Sequence, residues 1–93
     1  MTKVYTLLVE KYDALDGYIT SIDVKTFADK KACYEWMAEE IERQAEQGFK
    51  RVPHEEEPAF WEFTKEKAQG TLSHEFYGQY RDVIGGVAND ETD

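Results

Sequence analysis

The chain has 93 residues, with 20 acidic against 11 basic side chains and a formal net charge of −9. That length allows one domain, burying roughly 60–70% of its unfolded surface around a single core. The charge disfavours direct binding to nucleic acid or to an anionic membrane, because phosphates call for a basic surface; the single cysteine, Cys33, excludes an intramolecular disulfide.

Two Trp, six Tyr and five Phe supply large rings for the core. No apolar run is long enough to span a bilayer, and no basic-then-apolar leader opens the sequence, so the expected location is the cytoplasm. A lone cysteine fits a reducing compartment.

Lys3 to Tyr12 predicts a strand rich in Val, Leu and Tyr. Tyr5, Leu7 and Val9 share one face by the period of two, with Val4 and Leu8 on the other. The turn DALDG follows, its Asp16-Gly17 pair suited to positive φ. Tyr18 to Phe27 predicts the second strand of a hairpin, with Ile22 and Val24 on the face that receives the helix and Ser21, Asp23 and Lys25 toward water.

Asp29 to Gln47 predicts the one long helix, on the order of 28 Å. Cys33, Trp36, Met37, Ile41 and Ala45 form its apolar stripe. Asp29 is suited to cap the start, and Gly48 to end it in the left-handed conformation. Lys31 with Glu35, and Glu39 with Arg43, are spaced as ion pairs one turn apart. Phe49 is expected to fold back on the core, and Lys50 to Val52 to make a short edge strand. The loop PHEEEP resists ladder and helix alike.

The last third carries two readings. Ala59, Trp61 and Phe63 alternate with Phe60, Glu62 and Thr64, and His74, Phe76 and Tyr80 alternate with Glu75, Gln79 and Arg81, which predicts two strands around a turn at Lys65 to Gly70. Pro58, Gly70 and the helical spacing of Phe76, Tyr80, Val83 and Ile84 also fit helices. The aromatics favour strands, and a bare hairpin gains from further pairing. Gly78 is then a bulge or a close approach beneath an aromatic ring. The expected architecture is a single α+β domain over 1–84, ββαββ, an antiparallel sheet packed on one long helix, with 85–93 a flexible acidic tail. The alternative is the N-terminal hairpin followed by three helices.

The run VYTLLVEKYDALDGYITSIDVKTFADKKACYEW, with its aromatic hairpin, its VKTFADKKA strand-to-helix junction and the aromatics around Trp61 and Phe76, resembles small acidic ββα-type proteins of bacteriophages and mobile elements of gut bacteria. The resemblance covers most of the chain through generic packing patterns and implies no transferable activity.

Chemistry-bearing residues are sparse. Cys33 lies in the first helical turn but on the apolar stripe, which marks a buried structural thiol rather than a nucleophile. His54 and His74 lack the HExxH spacing, and His54 with Glu55, Glu56 and Glu57 presents diverging donors in a loop. DALDG lacks the ligand pattern of a calcium loop, and Gly85-Gly86 lacks the lysine and helix of a phosphate cradle. No catalytic, cofactor or metal residue is assigned, and the chain reads as a non-enzyme; an enzyme would need a pocket gathering His74 or Cys33 with an acid.

The candidate partner-binding face is Glu35, Glu39, Glu42 and Glu46, which step 4, 3 and 4 residues along one side of the helix at a pitch of about 4.5–6 Å. Two functions follow. The first is a non-catalytic protein-interaction module, with a protein partner, basic in one version, or a homodimer formed through an edge strand or through aromatics such as Phe60 and Tyr77. The second is an acidic mimic of nucleic acid that occupies a host nucleic-acid-binding protein, its carboxylates standing in for phosphates. The simple alternative for the stripe is a solvated helix face.

Overall fold

The computed structural model describes residues 2–13, 18–54 and 59–83. The DALDG turn beyond Asp13, the glutamates and second proline of PHEEEP, residue 84 and the expected tail 85–93 lie outside the described residues. The elements in chain order are β1 (Thr2–Asp13), β2 (Tyr18–Phe27), α1 (Lys30–Glu46), β3 (Lys50–Val52), β4 (Phe60–Lys67) and β5 (Gly70–Val83). This is the α+β arrangement of one antiparallel sheet on one long helix; the three-helix alternative does not form.

The sheet order is β2-β1-β5-β4-β3. β1 and β5 pair antiparallel from Thr2↔Val83 to Asp13↔Leu72, which joins the two ends of the fold at its centre. The helix carries the chain from the β2 edge across one face of the sheet to the β3 edge. Asp29 caps it, its Oδ1 accepting from the Ala32 N–H at 2.9 Å. Gly48 follows the last turn at φ +90°, and Phe49, buried, turns back onto the core with its N–H on the Gln44 carbonyl. β4 runs on to Lys67, so the turn is narrower than the alternation predicts: Ala68 and Gln69 make it, and Gly70 at φ +103° opens β5.

The core lies between sheet and helix: Tyr5, Leu7 and Val9 from β1, Phe76 from β5, Trp61 and Phe63 from β4, with Cys33, Met37 and Phe49 over them. The alternations in β1, β4 and β5 hold. Two expectations do not. Ala45 is exposed, while Gln44, one position earlier, is 3% exposed among the core residues. A polar side chain is taken up there because its amide bonds to Glu40 and His74. In β2 the faces are reversed: Ile22 and Val24 point away from the helix, 59% and 57% exposed, and Ser21, Asp23 and Lys25 point toward it. Phe27 sets this phase. It sits opposite Tyr5, packs on the core and lies 6.0 Å from the Trp36 ring. With Phe27 inside, every second residue before it, back to Ser21, is also on the helix side.

Candidate functional site: the open sheet face

One helix covers one face of the sheet. Among the described residues no element covers the other. The register defines what that open face displays. Val24, Leu8, Tyr77 and Phe60 are successive cross-strand partners and form an apolar row over four strands. Phe60 and Tyr77 stack at 4.6 Å with an interplanar angle of 21°. Ile22 continues the apolar surface along β2, and Ile19 rejoins the same face because the ladder slips by one residue between Lys11 and Tyr12, leaving Thr20 unpaired. Thr20 closes that irregularity by donating its hydroxyl to the Lys11 carbonyl at 3.1 Å.

The next row is Ile22, Glu10, Glu75, Glu62 and Val52. Three carboxylates thus stand directly opposite one another on adjacent strands, where Cβ atoms are about 4.5–5.5 Å apart and like charges repel. Each carboxylate has one local partner: the Tyr12 hydroxyl donates to Glu10 at 2.7 Å, the Tyr77 hydroxyl to Glu75 at 2.5 Å, and His54 Nε2 meets Glu62 at 2.7 Å. The bond to Glu10 pushes the Tyr12 phenol up to about 12, and burial with the bond to Glu75 raises that of Tyr77. No Lys or Arg among the described residues pairs with any of the three. A recess of about 380 Å³ opens along the apolar row, lined by Leu8, Phe60 and Tyr77 of that row, by Glu10 of the acidic row and by Ala59, Gly78 and Gln79.

The acidic helix residues are exposed. Glu35 meets Lys31 at 3.1 Å and Glu39 meets Arg43 at 3.6 Å, so half of the stripe is locally compensated. Glu42 and Glu46 continue it, and among the described residues neither pairs with a Lys or Arg. Of the acids in DALDG and PHEEEP, Asp16 and Glu55 to Glu57 lie outside the described residues, and Asp13 is held by Lys67 at 2.5 Å.

On the helix side, a cleft of about 260 Å³ between β2 and α1 is lined by Lys11, Ser21, Asp23, Lys25, Trp36 and Glu40, with Val9 and Phe76 at its base. Lys25 and Arg43 each lie 5.3 Å from the Trp36 ring centre. Glu40 accepts from Arg43 Nε and from Gln44 Nε2, both at 2.7 Å. Because the Gln44 amide nitrogen is committed to Glu40, its oxygen faces His74, and His74 Nδ1 donates to it at 2.8 Å. The His74 ring stacks on Phe49 at 4.1 Å. Burial, followed by the charge of Lys11, lowers the His74 pKa to about 4, with Glu40 opposing. Neither His74 nor Cys33 lines the cleft. Cys33 is fully buried and burial raises its pKa, so the thiol is neutral and packed. Among the described residues no three His, Cys, Asp or Glu side chains are grouped to hold a metal, and no helix is long and apolar enough to cross a membrane.

Sequence reasoning named Phe60 and Tyr77 but placed Ile22 and Val24 in the core and passed over Glu10, Glu62 and Glu75. These glutamates are far apart in sequence, and only strand register makes them neighbours. No family model, curated protein or solved structure matches the chain.

Proposed function

We propose that this protein is a non-catalytic interaction module whose contact surface is the open face of its sheet. The supporting observation is the exposure of Ile22 and Val24, on the same surface as the Phe60–Tyr77 stack and the Leu8 side chain. A half-uncovered antiparallel sheet ordinarily shows polar side chains to water; a contiguous apolar surface there marks a site of association. The same reading makes it an accessory protein of a phage or mobile element acting in the cytoplasm, in keeping with the resemblance of its ββα run.

The competing reading, mimicry of nucleic acid by Glu35, Glu39, Glu42 and Glu46, is supported by their exposure along one helix side and weakened by the two ion pairs within that stripe. One experiment separates them. Immobilised protein captures partners from bacterial lysate, and the bound set is compared for Ile22→Lys/Val24→Lys and for the fourfold Glu→Gln helix variant. The interaction-module reading expects capture to be lost in the first and kept in the second. Loss only in the second transfers the function to the acidic helix.

A further inference from the structure

We propose that the open sheet face receives a basic segment of another protein, one that carries apolar side chains for the Val24–Leu8–Tyr77–Phe60 row and a Lys or Arg for the recess beside it. This rests on the reading of that face as the contact surface and adds the chemistry of what it contacts.

The argument is complementarity. Glu10, Glu75 and Glu62 lie in one row across three strands, and their local partners are two phenol hydroxyls and an imidazole rather than Lys or Arg. The basic side chain on the same face of β5, Arg81, lies six residues beyond Glu75, about 20 Å along the strand, and is bonded to Thr6. Lys50 of β3 also shows on this face, opposite Thr64 and diagonal to Glu62, without pairing with it, so the charge left without a base nearby is that of Glu10 and Glu75, beside the apolar row. A cationic side chain fits the recess in each of its parts. Its aliphatic stem lies along Leu8 and the ring faces of Phe60 and Tyr77, and its charge meets Glu10, with Glu75 adjacent. Docking of apolar neighbours excludes water and strengthens the charge contact.

A second copy of this chain is the less suitable occupant. Two such faces set together bring two rows of glutamates near each other, on molecules that each carry a net charge of −9.

The test uses two ten-residue synthetic peptides, one alternating Leu with Lys and one alternating Leu with Gln, titrated into the full-length protein at near-physiological salt with backbone amide NMR shifts as the readout. The Leu–Lys peptide is expected to shift the amides of Leu8, Glu10, Phe60 and Tyr77, with the Leu–Gln peptide at least about tenfold weaker. Glu10→Gln/Glu75→Gln should weaken the Leu–Lys peptide by about tenfold, and Glu35→Gln/Glu39→Gln, which removes the same charge from the helix, by less than about twofold. Equal losses in the two variants reduce the effect to net charge and overturn the proposal. Equal binding of both peptides at this face overturns the basic preference while keeping the contact surface. No shift at this face with either peptide overturns the contact surface as well. A concentration-dependent dimer in sedimentation equilibrium, abolished by Ile22→Lys/Val24→Lys, assigns the face to a second copy instead.

Discussion

The Tyr5 ring fills the space that a side chain at Gly78 would need. A Cβ built on Gly78 would stand 2.8 Å from both Cε2 and the hydroxyl oxygen of Tyr5. The ladder of β1 with β5 runs unbroken past this point, Leu7 opposite Gly78 and Tyr5 opposite Tyr80, so the glycine is a close approach and not a bulge. Tyr5 is buried, meets Tyr80 edge-on at 4.8 Å, and has its phenol pushed up to about 12 by burial and by its neighbour Tyr34.

Gly78→Ala is therefore expected to destabilise the fold by about 1–3 kcal/mol in urea unfolding, the usual cost of overpacking a fixed core. Tyr5→Leu/Gly78→Ala should lose less than the sum of its two single changes, since the shorter side chain frees the space. Strict additivity would show that the ring is not what excludes the methyl group.

The chain Arg43–Glu40–Gln44–His74 explains why Gln44 is buried, and it predicts a pH effect. Free histidine titrates near 6.5, and His74 is held to about 4 in the fold. Between these values the unfolded chain binds the proton more readily, so the contribution of His74 to stability is complete above about 6.5 and is lost as pH falls through about 4. Lys11 and Glu40 face the ring, the first disfavouring its protonation and the second favouring it. The thermal midpoint of His74→Gln should fall less steeply than wild type over that window, and Gln44→Ala should cost about 1–3 kcal/mol by orphaning the buried imidazole N–H.

Cys33 should not react with a thiol reagent in the native protein and should react fully in denaturant. Cys33→Ser is expected to be more destabilising than Cys33→Ala, by about 1 kcal/mol, because it leaves a hydroxyl in an apolar site with no bonding partner supplied. Ready labelling of the folded protein would contradict the burial of this residue beneath the helix.

Asp29→Ala should cost about 1 kcal/mol by removing the acceptor for the Ala32 N–H, and Asp29→Asn should cost less because an oxygen remains. Urea titration of both variants reads the difference.

The sequence by itself determined the N-terminal hairpin and the helix, while the last third stayed open between strands and helices until pairing of β5 with β1 and β4 decided it. The Asp29 cap, the Gly48 stop and the stripe of Cys33 and Met37 are local features, and local sterics and hydrogen bonding suffice to place them. The alternation in Tyr5–Leu7–Val9 and in Trp61–Phe63 likewise carries its own face assignment, because large apolar side chains leave only one side that can be buried. Tertiary structure alone decided the face of β2. Ile22 and Val24 form as good an apolar alternation as any in the chain, yet Phe27 at its end pairs with Tyr5 and meets Trp36, and a strand cannot bury both phases on one side. The same register brought Glu10, Glu75 and Glu62 into a single row. Cross-strand neighbours are set by pairing over long sequence distances, and no periodicity within one strand can reveal them.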